Sequence, residues 1–210
     1  LLTISNSLLA CCPIEDWHER AVEFLNCQDD HTLGIACSGG ADSTFALLLV
    51  YAVFPRLRDK MVVLHYNHKL REDSDKDERF VVELAEKLEL PHEVGQSVKA
   101  SKEDEGSLRE QRLGFFFKVC ERRNASRLIQ GHNQDDVAET ILWRLSRGSS
   151  PRGLCAPRPV HQHGDISLLR PFITIDRAKI REMLSRFKMP WCEDESNDSP
   201  EYLRNRIRMN

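Results

Sequence analysis

ACSGGADST, residues 36–44, follows the short apolar run TLGIA and precedes the longer one FALLLVYAVF, residues 45–54. The first run lies between QDDH and SGG and has the length and composition of a buried parallel strand. Two adjacent glycines then allow a tight turn. Asp42 or Ser43 is placed to cap a helix through Phe54, where Pro55 stops it. The stretch therefore predicts a strand, a glycine turn and a helix, which is the opening of a βα unit.

The same alternation continues outward from it. Residues 61–64 predict a second strand, ending at HYNHKLR, and Val81, Leu84, Ala85 and Leu88 carry helical spacing that Pro91 ends. A third strand is expected at 92–98, a helix over about 103–123, a fourth strand at 127–131 and a helix over about 135–146. Beyond Arg147 the pattern gives way to RGSSPRGLCAPRPVHQHGD, rich in Gly, Pro and Arg, before a last helix over about 176–188. Strands alternating with helices of this length predict an α/β fold with right-handed crossovers. We expect a doubly wound, mainly parallel five-stranded sheet with helices on both faces and a short helical C-terminal extension. The expected organisation is a helical lead-in over 1–30, a nucleotide-binding core over 31–150, and an Arg-rich loop with helical extension over 151–210 of the same domain.

In such a fold ligands bind at the carboxyl ends of the strands. SGGADS, HYNHKLR and GHNQDD all fall there. Gly39 and Gly40 let backbone amides approach an oxyanion, Ser38, Ser43 and Thr44 add hydroxyls, and the following helix directs its positive end to the same place. A polyphosphate fits this loop, although its spacing is neither of the common Gly-rich nucleotide motifs. The alternative is a plain capped turn. GHNQDDVAET places Asp136 and Glu139 at i and i+3 on one helix face, where they either complement the helix dipole or form a site. On the helix after residue 103, Arg112 stands among Leu108, Phe115, Phe116 and Val119, where another apolar residue belongs, and a charge there needs a partner or a pocket. Arg112 with Asp136 and Glu139 makes a mixed-charge pocket suited to a zwitterion such as an amino acid. His132 is a donor candidate for a phosphate. His65 and His68 read better as polar pocket lining than as metal ligands.

The form SGGADS after a first strand resembles the pyrophosphate-binding loop of the PP-loop ATP pyrophosphatases, which cleave ATP between its α and β phosphates. Five more blocks, HYNHKLREDS, SLREQRLGFF, GHNQDDVAETILWRLSRGSSPRGL, LLRPF and WCEDESNDSPEYLRNRIR, are similar in order and spacing to the tRNA(Ile)-lysidine synthetase family. The resemblance spans about residues 33–208. It implies an adenine nucleotide alpha hydrolase-like fold and a ligase that modifies the wobble cytidine of a tRNA(Ile) with a CAU anticodon. ATP adenylates the cytosine 2-oxygen, and L-lysine then displaces AMP. It also implies ATP and pyrophosphate binding by Ser38, Gly39, Gly40, Asp42, Ser43 and His132, with Mg2+ held by Asp42. Lysine would be bound by Arg112, Asp136 and Glu139, with Asp136 and Asp42 as the catalytic residues. Arg147, Arg152, Arg204 and Arg206 would contact the tRNA. Two other readings stand beside it: a thiolation-type adenylating tRNA enzyme, and a nucleotide-binding module without catalysis.

The chain departs from the family pattern in having Lys69 where glycine is common and Pro151 and Cys155 in a loop usually rich in glycine. It also ends soon after RNRIR, where fuller members continue into tRNA-gripping domains, which leaves two readings open, a catalytic fragment or a chain that needs those further parts. The net charge of −3 does not mark a nucleic-acid binder. The distribution does more, because residues 141–163 carry Arg144, Arg147, Arg152 and Arg158 with no acidic residue, and Arg204, Arg206 and Arg208 cluster near the end. Seven scattered cysteines in a chain of 210 residues favour free thiols. No run is long enough to span a bilayer, so a cytoplasmic protein with no membrane partner is expected, and a homodimer is left open.

Overall fold

The structure, a computed structural model, describes residues 9–27, 29–70, 74–97, 105–148 and 157–193. The strands are β1 (Thr32–Ala36), β2 (Met61–Asn67), β3 (His92–Gln96), β4 (Ala125–Gln130), β5 (Val160–His163) and β6 (Ile166–Leu169). The helices are α1 (Glu19–Asn26), α2 (Ala41–Val53), α3 (Ser74–Lys87), α4 (Glu105–Arg122), α5 (Gln134–Ser146) and α6 (Arg177–Arg186). They build one six-stranded sheet in the order β3-β2-β1-β4-β6-β5. Five strands are parallel, as expected, and β5 adds an antiparallel edge by pairing with β6. That edge strand lies in a stretch the sequence presented as irregular.

Alternating side chains on the strands supply two cores. Leu33, Ile35, Val63, Ile129 and Leu169 face the layer containing α2, α3 and α6. Val62, Leu64, Leu128 and Leu168 face Phe116, Val119 and Cys120 of α4. The α2 segment is apolar nearly all round because it is buried nearly all round, from Ser43 to Ala52. Phe172, next to the end of β6, packs edge-on against Trp17 at 4.6 Å and Phe45 at 5.3 Å. With His18 N–H donating to Pro171 O at 2.8 Å, this fixes the N-terminal segment beside the last strand. At the opposite end of the sheet, buried Arg127 donates to Asp29 at 2.6 Å and to Phe24 O at 2.8 Å.

The chain order matters for function. From β1 it proceeds outward to β2 and β3, then returns to the other side of β1 for β4 and β6. The two loops that leave β1 and β4 consequently diverge at a switch point, the place where open α/β sheets hold ligands. Among the described residues no helix is long and apolar enough to cross a membrane. The six described cysteines are all free.

Candidate active site

The loop from β1 to α2 turns at Gly39, whose φ of 93° lies in the left-handed region, and a Cβ there would sit 3.3 Å from Cys192 Sγ. Cys192 N–H also donates to Gly39 O at 2.9 Å, so the segment after α6 closes over the glycine turn. The loop is held from below by His65, whose Nδ1 lies 2.9 Å from Cys37 O. Burial lowers the His65 value below that of an ordinary histidine. The neutral ring donates from Nδ1 to the carbonyl.

The expected cap is corrected here. Gly40, rather than Asp42 or Ser43, is the N-cap residue, and no side chain caps the helix. Ser43 Oγ instead donates to Gly40 O at 3.1 Å and accepts from Ser38 N–H at 3.1 Å. Thr44 is fully buried and donates to Gly39 O at 3.1 Å, so it braces the turn and does not line its mouth. The result is a helix start whose first-turn N–H groups lack a side-chain acceptor, with Ser38 exposed beside it. Such a terminus favours an anion.

The loop after β4 lies directly against this one. A Cβ on Gly131 would fall 2.7 Å from Asp42 O and 2.8 Å from Ser43 Cα, both in the backbone. Only glycine lets this loop touch the first turn of α2. Asn133 then caps α5 in a reciprocal box: its side chain accepts from Asp136 N–H, and Asp136 Oδ2 accepts from Asn133 N–H, both at 3.0 Å. Asp136 and Glu139 are both buried.

Their counter-charge is Arg177, at the start of α6. It donates to Glu139 Oε1 at 2.9 Å and Asp136 Oδ1 at 3.2 Å, and it lies 3.9 Å from Asp42 Oδ2. Its backbone N–H reaches Asp135 at 2.7 Å, while Gln134 N–H donates to Ile175 O at 2.9 Å, so the entry to α6 is docked on the start of α5. Burial alone would lower the Arg177 value; Glu139, Asp136 and Asp42 together raise it above that of an ordinary arginine. Burial also raises the Asp42 carboxyl above the usual aspartate value, with the Asp136 charge adding to the rise and Asn133 and Arg177 opposing it.

Sequence reasoning thus brought Asp42, Asp136 and Glu139 together but missed Arg177. A signal existed, because a basic residue at the first position of a helix opposes the helix dipole and calls for another partner. Arg112 lies half-buried on α4. His132 Nδ1 faces Arg170 Nε at 3.3 Å. Lys69 has a φ of 53°, in the left-handed region that favours glycine; its N–H donates to Asn67 Oδ1 at 2.9 Å and its ammonium pairs with Asp75. Arg147 is exposed at the end of α5, its guanidinium 5.0 Å from the Trp143 ring centre. Arg152, Arg204 and Arg206, with Pro151 and Cys155, lie outside the described residues. Among the described residues no three His, Cys, Asp or Glu side chains group as a protein-only metal site. One feature does suit a cation: Asp42 Oδ1 is buried without a hydrogen-bond partner.

Comparison with known proteins places this geometry in context. The PP-loop domain family matches residues 14–210. The chain is 40% identical to a tRNA(Ile)-lysidine synthase of Geobacter sulfurreducens over 183 residues, covering 83% of this chain and 38% of the relative. With the enzyme of that name from Solibacter usitatus it shares 38% identity, covering 84% and 39% respectively. With that of Thermosynechococcus vestitus it shares 35%, covering 91% and 57%. The chain therefore spans less than two thirds of the length of these relatives. In fold it is similar to the U34-tRNA thiolase NcsA of Methanococcus maripaludis, with a TM-score of 0.70 at 13% identity over 90% of this chain and 69% of that one.

Proposed function

We propose, given that this chain belongs to the PP-loop domain family, that it is the catalytic part of a tRNA(Ile)-lysidine synthetase. The observation that carries the proposal is the contact between two unlike sites: an uncapped glycine turn that suits a polyphosphate, and a buried pair of carboxylates that suits an amine, touching at Gly131. The sequence relatives of that name support the choice of substrate.

In this reading ATP lies with its β and γ phosphates on Ser38, Gly39, Gly40 and Ser43 and on the first-turn amides of α2. The cytosine 2-oxygen attacks the α phosphorus, and the bond to pyrophosphate breaks. A carbonyl oxygen borne on the ring is a poor leaving group until it carries a phosphoryl group. The lysine side-chain amine then attacks carbon 2, the bond from carbon 2 to the adenylated oxygen breaks, and AMP departs with the electron pair. Lysine, with a reference pKa of about 10.4, must lose a proton first. Asp136 is the acceptor, while Glu139 and Arg112 hold the amino-acid end. His132 donates to the phosphates. The unsatisfied Oδ1 of Asp42 would accept Mg2+, a hard ion that takes oxygen ligands and neutralises phosphate charge. Arg147, Arg152, Arg204 and Arg206 meet the backbone of a CAU-anticodon tRNA(Ile), through contacts that weaken with salt.

The test is AMP formation from ATP, with lysine and unmodified tRNA(Ile) each omitted in turn and the tRNA weighed for added lysine. AMP and lysine-bearing tRNA only in the complete mixture support the proposal. AMP with no lysine uptake indicates a different nucleophile, as in a thiolation enzyme, and no AMP in any mixture, from this chain and from the full-length protein alike, indicates a binding module.

A further inference from the structure

Arg170 follows β6 at the ligand edge of the sheet and is only 5% exposed, yet among the described residues no carboxylate pairs with it. Its donors go to neutral acceptors: Nε to His132 Nδ1 at 3.3 Å and one terminal nitrogen to the carbonyl of Arg158 at 2.8 Å. A buried cation without a counter-ion is costly, and an arriving anion would relieve that cost. Burial, with the charge of Arg109 second, brings the Arg170 value down to about 10, so the surroundings of the guanidinium are positive as well as dry.

Its position narrows the kind of anion. His132 immediately precedes Asn133, the residue that caps α5 and fixes Asp136. The contact to the buried cation is therefore made at the entry to the helix that carries the buried Asp136 and Glu139 carboxylates. An α-amino acid carries an ammonium and a carboxylate on one carbon and needs two opposite poles side by side. A tRNA phosphodiester would be met by exposed arginines such as Arg147, and pyrophosphate already has the glycine turn. Because Nδ1 accepts from Arg170, the His132 ring carries its proton on Nε2.

We propose that Arg170 is a specificity-determining residue that anchors the carboxylate of the amino-acid substrate, with His132 held beside it. The inference rests on the lysine-transfer reading above. Arg112 can share the same group, since a carboxylate offers about four lone-pair sites, but Arg170 is the deeper of the two cations.

The test compares lysine with lysinamide, which keeps both amines and replaces the carboxylate with a neutral amide, using the full-length protein, ATP and tRNA(Ile). Loss of one charge-assisted contact predicts that the wild type prefers lysine by about 10- to 100-fold in kcat/KM. In Arg170→Met that preference collapses towards unity because the lysine KM rises while lysinamide is unaffected, and Arg170→Lys restores part of it. A purely structural or phosphate-binding role would depress both amines alike and leave the preference intact, which overturns the proposal, as does a wild type that treats the two compounds equally. If Arg170→Met fails to fold, Arg170→Lys decides on the same ratio. A wild type that forms AMP on tRNA yet transfers neither amine refutes the lysine-transfer reading itself, and this inference falls with it.

Discussion

Replacing Arg177 with methionine keeps much of its aliphatic volume and removes the charge that Glu139, Asp136 and Asp42 share. The Glu139 side chain is 5% exposed and that of Asp136 12%, whereas Arg177 is 22% exposed. Removing one partner of a buried ion pair costs about 3–5 kcal/mol, and the partial exposure of the guanidinium puts this case at the lower end, about 3 kcal/mol. For a chain of this size that corresponds to a fall in Tm of about 6–12 °C. The loss should depend on pH with a definite sign. Arg177 opposes the rise that burial and Asp136 impose on Asp42, so its removal lifts that carboxyl further above its unfolded value. A group with a raised folded value stabilises fully below its unfolded value, about 4, and loses that contribution as pH rises through the folded value. Urea unfolding should therefore give a full deficit at pH 8 that shrinks as pH falls towards 5, with an unchanged m-value. A deficit that is equal at both pH values, or smaller than about 0.5 kcal/mol, the ordinary range for a surface substitution, would refute the assignment of Arg177 as the counter-ion.

Other outcomes follow from the same contacts. Asp42→Asn removes a carboxylate whose folded value burial has raised, so above about pH 5 the variant should unfold about 0.5–2 kcal/mol later than the wild type while losing ATP-dependent AMP formation; a variant that is active, or no more stable, contradicts this. Gly131→Ala drives a methyl against the Asp42 and Ser43 backbone, and overpacking of this kind costs about 1–3 kcal/mol; AMP formation should fall at temperatures where circular dichroism still reports a folded chain. Arg127→Met breaks the bonds to Asp29, Phe24 O and Cys27 O at the far end of the sheet and should cost about 3 kcal/mol in urea unfolding, with kcat and KM unchanged while folded.

The parts of the fold that sequence reveals are those in which burial dictates residue type. β1, β2, β4 and α2 are covered on all sides, so they read as apolar runs with glycine and proline as punctuation. β5 reads as nothing of the kind: VHQH is an edge strand whose last three residues are exposed, and its hydrogen bonds to β6 are made by a backbone that leaves no mark on the side chains. The same distinction governs the site. Asp136 and Glu139 declare themselves by a spacing of three on one helix. Arg177 meets them from 41 and 38 residues away, through docking of α6 that no local pattern encodes. Thr44 shows the limit from the other direction. A hydroxyl beside a glycine turn can face a ligand or the turn itself, and only its complete burial decides for Gly39 O.

The placement of charge follows from the topology. Because the chain leaves β1 in one direction and returns to its other side as β4, the two strand-end loops diverge above the sheet and still touch through Gly131 and Asp42. A positive helix end for phosphates therefore shares a wall with a buried acidic pair. The acidic pair is in turn paired with Arg177 of α6, while Arg170 after β6 holds His132, next to the residue that caps α5. A two-step reaction in which a phosphorylated intermediate is attacked by an amine requires such adjacency, since the gain from holding two reactants together vanishes if the intermediate must travel. The unlike charges also cannot be merged. Without Arg177 the carboxylates would repel one another, and a carboxylate paired with Arg170 would close the pole that the amino acid needs. Arg177 thus neutralises the acidic pair, while Arg170 is left unneutralised by any described carboxylate.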